Sequence, residues 1–520
     1  MSFKKNTLHF IVLILLLMAV FIQPFLSSRH FSPAFDELTH LPSGYVYLKT
    51  GDFSLNPQHP PLVKLLAALP LLFVDVKFPV HFLEMGEWKF GSKFIFENDA
   101  DKILLLGRLA PILISTLLAV FVYKWARELF GKVGGLTALF FYAFMPNILA
   151  HSQFVATDMG VTSFGFISCY WLWKHYQSNK FKHLVFSGLF LGLALGSKFS
   201  ALLLVPILAV LIVLKEFFGA GLSLVGCKNF AKKFFIIGAV SSLVVWAIYF
   251  FPSDPLFYLK GYKTVYADKN PNFQFYLNGN YSTQVWWYYF LFAFLVKTPI
   301  VFTLSVIAVF VFWKKLGLKM VDAVFLIIPI FLFFTVTSLK AYNISVRYIL
   351  PVYPFLVMCV AGLPNVIKNI KLNRTLAGTT LFVVFGWQLI STVKVYPHYL
   401  SYFNEFSGGP ENGFRRLDDS NLDWGQSLKM LADYQKKDPE LKVVYHWSNM
   451  DTGYYGINND LISLRKSWWS NPVGRYAVDI NFLIRLRILS RLRNDPKLDW
   501  LTLYKPIDRI GYSYLVYEFK

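Results

Sequence analysis

LHFIVLILLLMAVFIQPFLSS (residues 8–28) is followed, a few residues on, by FDELTHLPSGYVYLKTGDFSLNPQHPPLVK (residues 35–64). The first stretch is long and apolar enough to cross a bilayer as a helix, which takes about 20 residues. The second opens on adjacent carboxylates, Asp36 and Glu37, with His40, Lys49, His59 and Lys64 close behind. A spanning helix that delivers an acidic pair to the membrane–water boundary sets the class of fold and marks a place where protons can be moved.

The rest of the chain repeats the first signal. Of 520 residues, 55% are hydrophobic and only 16% charged, and mean hydropathy is +0.46. Soluble domains carry about 25% charged residues. The chain therefore reads as an α-helical polytopic membrane protein. Spans are expected at 8–28, 103–123, 133–150, 158–175, 184–197, 199–214, 234–251, 286–312, 322–338, 347–363 and 375–393, about eleven at roughly 20 residues each. The first carries Lys4 and Lys5 ahead of its core, as a secretory signal would. Its core is too long, however, and Gln23-Pro24-Phe25-Leu26 offers no small-residue cleavage site, so it reads as an uncleaved anchor. Within 184–214, Gly196-Ser197-Lys198 divides two short spans, which fits either two paired helices or one broken helix.

Charge orients the bundle. The net charge is +21, yet the basic residues gather in no nucleic-acid motif, and no nucleic-acid partner is expected. They cluster instead at Lys4/Lys5, Lys124/Arg127/Lys132, Lys174/Lys180/Lys182, Lys228/Lys232/Lys233, Lys314/Lys315/Lys319 and Lys368/Lys371/Arg374. These fall on every second connection, as the positive-inside rule requires of the cytoplasmic side. The loop 29–102, the turn His151–Asp158, the loop 252–285, the turn 339–346 and everything after about 394 belong to the other side. The expected setting is the plasma (inner) membrane, with the N-terminus cytoplasmic and the C-terminus extracytoplasmic. Residues 1–394 form the membrane domain. Over 395–520 charge, Asn and Gly return and apolar runs shorten to strand length, as in Lys442-Val443-Val444-Tyr445, so a small extracytoplasmic α/β domain is expected. Cys169, Cys227 and Cys359 have neither metal-site nor disulfide spacing.

Two readings fit Asp36 and Glu37. They cap a helix opened by Ser32-Pro33, or one of them is a general base, which must be an ionised carboxylate beside the proton it removes. The stretch 62–74 is too short to span and lies in the interface or re-enters. Other polar groups fall at outer span ends: His151 and Asp158 bracket a turn, Arg108 lies one turn inside the second span, Lys297 precedes Thr298-Pro299, and Arg347 starts the tenth span. A single Lys or Arg at such a place can snorkel to head groups. Buried in a span it pairs or lines a cavity, and several converging on an acidic pair make a phosphate site.

The pattern Asp36-Glu37, His40, Gly44, Gly51-Asp52, His59-Pro60-Pro61-Leu62 resembles the first outer loop of GT-C superfamily membrane glycosyltransferases, in particular the protein O-mannosyltransferase-like and lipid A aminoarabinose transferase-like enzymes. Arg108, Ala156-Thr157-Asp158, Lys297-Thr298-Pro299, Arg347-Tyr348-Ile349-Leu350-Pro351, Tyr402-Phe403-Asn404-Glu405 and Asp419-Ser420-Asn421-Leu422-Asp423-Trp424-Gly425-Gln426 extend the resemblance over essentially the whole chain. It implies a GT-C fold and inverting transfer of a hexosyl or pentosyl group from a polyprenyl-phosphate carrier. The acceptor would be protein Ser/Thr, lipopolysaccharide or another glycolipid. Residues and resemblance together assign Asp36, Glu37 and Asp158 to catalysis and His59, Lys64, Arg108, Lys297 and Arg347 to the donor phosphate. His40, His151, Asn404, Asp419 and Asp423 are assigned to acceptor or sugar. Aminoarabinose transferase-like members carry an acid and a lysine where this chain has Gln58-His59, so the resemblance specifies no cofactor and leaves a divalent metal open.

Topology points to the same donor. Nucleotide sugars are made in the cytosol and do not cross a bilayer, so a sugar used on the outer face arrives on a lipid. The rival reading is a secondary transporter or lipid flippase, which places ionisable residues on broken helices in repeated halves. No internal repeat is present, and Gly196-Ser197-Lys198 is the one feature that fits it. A non-catalytic scaffold would not need the outer carboxylates and cations.

Overall fold

The computed structural model describes residues 2–217, 223–267, 270–458 and 472–520. Its frame is a bundle of apolar helices whose lipid side is visible in the side chains. Leu8, Phe10 and Leu15 on the first helix, Phe235 and Leu243 on Leu224–Ile248, and Phe382 on Arg374–Val393 all point outward. Among the described residues seven helices are long and apolar enough to span: Asn6–Ser28, Ala100–Ala143, Phe199–Glu216, Leu224–Ile248, Met320–Lys340, Val346–Asn369 and Arg374–Val393. The pair Tyr289–Lys297 and Ile300–Val311, bent by 116°, makes an eighth if taken as one span.

Length and apolarity alone do not pick out all eleven expected spans among the described residues, for physical reasons. Ala100–Ala143 is two helices that meet at a kink at Gly131 (φ 74°, ψ −172°), and only taken together do they count as one span. The helix Asp158–Ser178 is buried along most of its length and carries Asp158, Thr162, Ser163 and Ser168, so it needs no uniformly apolar surface. The helix Phe181–Leu195 is 15 residues long and stops at the Gly196–Lys198 turn.

Small residues let the helices close on one another. Ser168 and Ser187 each donate to the other's carbonyl, at 2.8 and 3.0 Å. Gly188 and Gly192 form a small-xxx-small face against Leu224–Ile248. A Cβ on Gly192 would stand 2.6 Å from Val244 Cβ and 2.8 Å from the Ser241 carbonyl.

The bend at residues 297–299 has a local cause. Pro299 has no N–H for the Leu295 carbonyl and drives Thr298 to an extended conformation (φ −110°, ψ 138°). The freed carbonyls are taken up by side chains. Asn404 Nδ2 donates to Leu295 O (2.6 Å) and Thr298 O (2.8 Å), and Asn147 Nδ2 to Lys297 O (2.7 Å).

The long connection after the first span folds into a compact layer of helices, Glu37–Thr50, Leu62–Ala68 and Glu87–Phe96. Beyond Ala68 a 3-10 turn, Leu69–Phe73, leaves Leu69 and Phe73 outward. At the C-terminal end four strands, β3 (Lys442–Val444), β4 (Gly474–Asp479), β5 (Asp508–Ile510) and β6 (Tyr514–Phe519), form a sheet in the order β3-β4-β6-β5. The β3–β4 pair is parallel and the others antiparallel. Helices Leu428–Lys437 and Ile480–Leu492 complete this α/β unit. In the loop 252–285, β1 (Phe275–Leu277) and β2 (Asn280–Ser282) form a hairpin closed by Asn278-Gly279, both at positive φ, as a type I′ turn requires.

Candidate active site

Asp36 and Glu37 are neighbours on a helix start, so their side chains diverge. Glu37 is fully buried and makes four bonds. Oε1 accepts from Arg108 Nε (2.9 Å) and Val155 N (2.8 Å), and Oε2 from Arg108 Nη2 (2.6 Å) and Ala34 N (2.8 Å). Arg108 completes its set on the carbonyls of Ser28 (2.7 Å), Phe31 (3.1 Å) and Ser32 (2.8 Å). Every guanidinium N–H is thus engaged, leaving none for a phosphate. The pair fastens the segment 28–37 to the helix from Ala100 and to the 153–157 turn.

Asp36 faces the other way. Its Oδ2 accepts from Arg347 Nη1 at 2.9 Å. Arg347 lies over the Trp424 ring at 4.4 Å, and its Nε is buried with no hydrogen-bond partner. This guanidinium is held flat and still has donors to give. The main chain fixes Trp424 here, because Phe35 N donates to the Trp424 carbonyl (2.7 Å) and Ser32 N to that of Gln426 (3.0 Å).

A second pair stands at the start of Asp158–Ser178, where Asp158 Oδ1 receives Lys198 Nζ at 2.6 Å. A carboxylate suits the positive end of a helix. Lys198 is extended at the turn between two helices and lies 5.1 Å from the Tyr348 ring, one residue from Arg347.

Histidines surround these pairs. His40 and His59 meet edge to face at 5.2 Å. His40 Nδ1 donates to the Val155 carbonyl (2.9 Å), the tautomer following from the carbonyl partner. Burial lowers His40 to about 4, against the opposing pull of Asp36, and takes His59 well below its ordinary value. His151, edge-on to Trp424 at 6.3 Å, has a buried Nδ1 without a partner and is lowered by burial to about 3. All three imidazoles are neutral hydrogen-bonding groups at neutral pH.

The remaining expected residues are held elsewhere. Lys64 Nζ is buried on the carbonyls of Asn56 and His59 (both 2.7 Å) and on Tyr47 Oη (3.4 Å), so it shapes the loop that carries His59. Lys297 Nζ donates to the carbonyls of Leu400 (2.6 Å) and Asn421 and sits over Phe403. Asn404 covers the Pro299 break. Asp423 Oδ1 accepts from Ser513 Oγ and Oδ2 from Trp447 Nε1, both at 2.6 Å, and burial pushes its carboxyl up. Asp419 is half-buried at φ 54°, accepts from Ser420 N (2.6 Å) and makes no ion pair among the described residues.

The structure therefore brings Asp36, Arg347, Asp158, His40, His59 and His151 together. Glu37, Lys64, Arg108, Lys297, Asn404 and Asp423 brace the surroundings. Sequence reasoning missed the role of Trp424 as the platform under Arg347 and gave Lys198 too little weight. Its position at the Gly196–Lys198 helix break was the available signal. Among the described residues no three carboxylate, imidazole or thiol groups converge as a metal site, and Asp36 and Asp158 are each neutralised by a cation. This donor set does not fit a divalent metal.

The bent span, the helical connection after the first span and the C-terminal α/β unit can now be set beside known structures. The chain is similar to ArnT from Cupriavidus metallidurans in the apo state, with TM-score 0.51 and 13% identity over 99% of this chain and 98% of that one. It is also similar to the Archaeoglobus fulgidus oligosaccharyltransferase tethered with an acceptor peptide, with TM-score 0.55 and 11% identity over 97% and 73%. AglB from the same organism, in complex with an inhibitory peptide and a dolichol-phosphate, gives TM-score 0.50 and 13% identity over 94% and 71%. The chain has a GT-C-type fold. Residues 95–246 match the family described as dolichyl-phosphate-mannose-protein mannosyltransferase. No curated protein matches it in sequence.

Proposed function

We propose that this protein is an inverting glycosyltransferase. It moves a hexosyl or pentosyl group from a polyprenyl-phosphate carrier to an acceptor at the extracytoplasmic face of the plasma membrane. The observation that carries the reading is the Asp36–Arg347 pair: a carboxylate at the membrane boundary bonded to a cation that keeps unused donors beside a second pair, Asp158–Lys198.

The donor phosphate enters between Arg347 and Lys198 and competes with Asp36 for the guanidinium. Arg347 turns its free donors to the phosphate, which releases Asp36 as a base. Asp36 removes the proton from an acceptor hydroxyl or amine, and the acceptor attacks the anomeric carbon. The bond from that carbon to the phosphate oxygen breaks, its electron pair leaving with polyprenyl phosphate, and one displacement inverts the anomeric centre. Arg347 and Lys198 meet the charge that develops on the leaving phosphate, the preorganised electrostatic term that is usually largest in catalysis. Asp158 holds Lys198 in place, and neutral His59 and His40 offer hydrogen bonds to sugar or phosphate. Glu37 and Arg108 act on the site only by fixing the segment before Asp36.

The ion pair at the Gly196–Lys198 break favours a second reading, a lipid flippase or secondary transporter. One experiment separates them. Purified protein is given a lipid-linked sugar pool and an acceptor extract, and glycosyl transfer is compared between wild type and Asp36→Asn. Transfer that is lost in the variant supports the enzyme. Movement of lipid-linked sugar across vesicles with no transfer product supports the rival.

A further inference from the structure

A cleft of about 260 Å³ lies on the outer unit, away from the acidic pairs, between the β1–β2 hairpin and the helix Ile480–Leu492. Tyr276 and Tyr281 line it from the hairpin, Arg487 and Arg491 from the helix, and Asp499 and Thr502 from the segment beyond. Arg487 and Arg491 are four residues apart and share one helix face. Arg491 Nη1 donates to the Gly279 carbonyl at 2.6 Å, its one hydrogen bond among the described residues. Arg487 Nε and Asp499 Oδ1 face each other at 3.6 Å, too far for a hydrogen bond, and both atoms are buried without a partner.

A hydroxyl group set beside this pair can reach both atoms. It donates to the carboxylate oxygen and accepts from the guanidinium N–H, satisfying both at once. The tyrosine rings supply an apolar face of the kind that receives a sugar ring. Two arginines against one aspartate leave positive charge over, and Arg491 keeps N–H groups for a charge-assisted bond. The volume, roughly that of nine waters in the liquid, suits a single sugar unit. The cleft is also tied to the segment around Asp419. Arg485, on the same helix, donates to the Gln274 carbonyl (2.7 Å) and to Asp418 Oδ2 (2.6 Å), next to Asp419. Asn278 N, in the hairpin turn, donates to the Arg416 carbonyl (2.7 Å).

We infer that this cleft is an acceptor subsite for an anionic saccharide, a sugar unit bearing a phosphate or carboxylate. The inference rests on the transferase reading for the word acceptor, and it narrows the acceptor to a charged glycan or glycolipid. Binding to the cleft itself does not depend on turnover.

The test is calorimetric titration of the full-length protein in detergent with glucose 1-phosphate, glucose and inorganic phosphate. Glucose 1-phosphate should bind more tightly than either of the others, with an affinity that falls as salt rises. Arg491→Gln, at an exposed position, and Arg487→Gln should each weaken it tenfold or more, and Lys436→Gln, on another exposed helix face of the same unit, should leave it unchanged. Equal binding of glucose and glucose 1-phosphate, inorganic phosphate binding as well as the sugar phosphate, or affinity untouched in both arginine variants would each overturn the subsite. An inactive transferase that still shows arginine-dependent binding would overturn the proposed function and leave the cleft standing.

Discussion

At the scale of single residues, adjacent acids with the same charge do different work because their partners differ. Asp36→Asn keeps the size of the side chain and removes its basicity. General-base catalysis is worth about a hundredfold to ten-thousandfold, so transfer should fall by that range with little change in melting temperature. Glu37→Gln should act in the opposite way. It leaves Arg108 buried without its counter-charge, a change that costs on the order of 3–5 kcal/mol, so the yield of folded protein and its melting temperature should drop. Unchanged melting in Glu37→Gln would remove the bracing role. A pH effect belongs at this scale too. His40 is held near 4 in the fold by burial, whereas a free imidazole titrates at about 6.5. The unfolded chain then binds more protons between these values, so stability is fully present above pH 6.5 and is lost as pH falls toward 4. His151 and His59 add to the same slope. Melting temperature followed from pH 7 to 4 should fall in wild type and fall less steeply in His40→Asn.

At the scale of elements, the bundle depends on close approach and on covered breaks. Leucine at Gly192 must displace Val244 or the Ser241 carbonyl, and overpacking costs about 1–3 kcal/mol. Gly378, on Arg374–Val393, has nothing within 4 Å of a built Cβ, so Gly378→Leu should melt like wild type while Gly192→Leu melts lower. Asn404→Ala uncovers the carbonyls of Leu295 and Thr298 at the Pro299 break. Leaving a buried polar group unpaired costs about 1–3 kcal/mol. The variant should therefore lose melting temperature, and any activity it keeps should show an unchanged KM for the donor. A raised donor KM at unchanged stability would move Asn404 into the site.

At the scale of the whole molecule, the mechanism stands on orientation. Cys227 is exposed and Cys169 and Cys359 are buried, so Cys227→Ser gives a background suited to labelling. A cysteine at Lys436, on the outer unit, should react with an impermeant thiol reagent on intact spheroplasts. One at Lys315 should react only after the membrane is opened. The reverse pattern would place the acidic pairs in the cytosol and remove the need for a lipid-linked donor.

The sequence by itself determined the membrane class and the place of the acidic pair, and it set an expectation for the side on which each loop lies. Those properties follow from chain-local quantities: the length of an apolar run, the Lys and Arg content of a connection, the residue just past a span. Only the tertiary structure decided which groups are free to react. Arg108, Lys64 and Lys297 looked like phosphate ligands beside Arg347, yet their N–H groups end on main-chain carbonyls of Ser28, Asn56 and Leu400. Irregular segments set the direction of a carbonyl, and no residue type announces it. Some expected spans fall below a test of apolarity for a related reason. Asp158–Ser178 lies inside the bundle, where Asp158 and Ser168 find protein partners, and hydropathy reads only what lipid would touch. Arg347 remains available because Trp424, distant in sequence, lies beneath it and leaves its Nε without an acceptor.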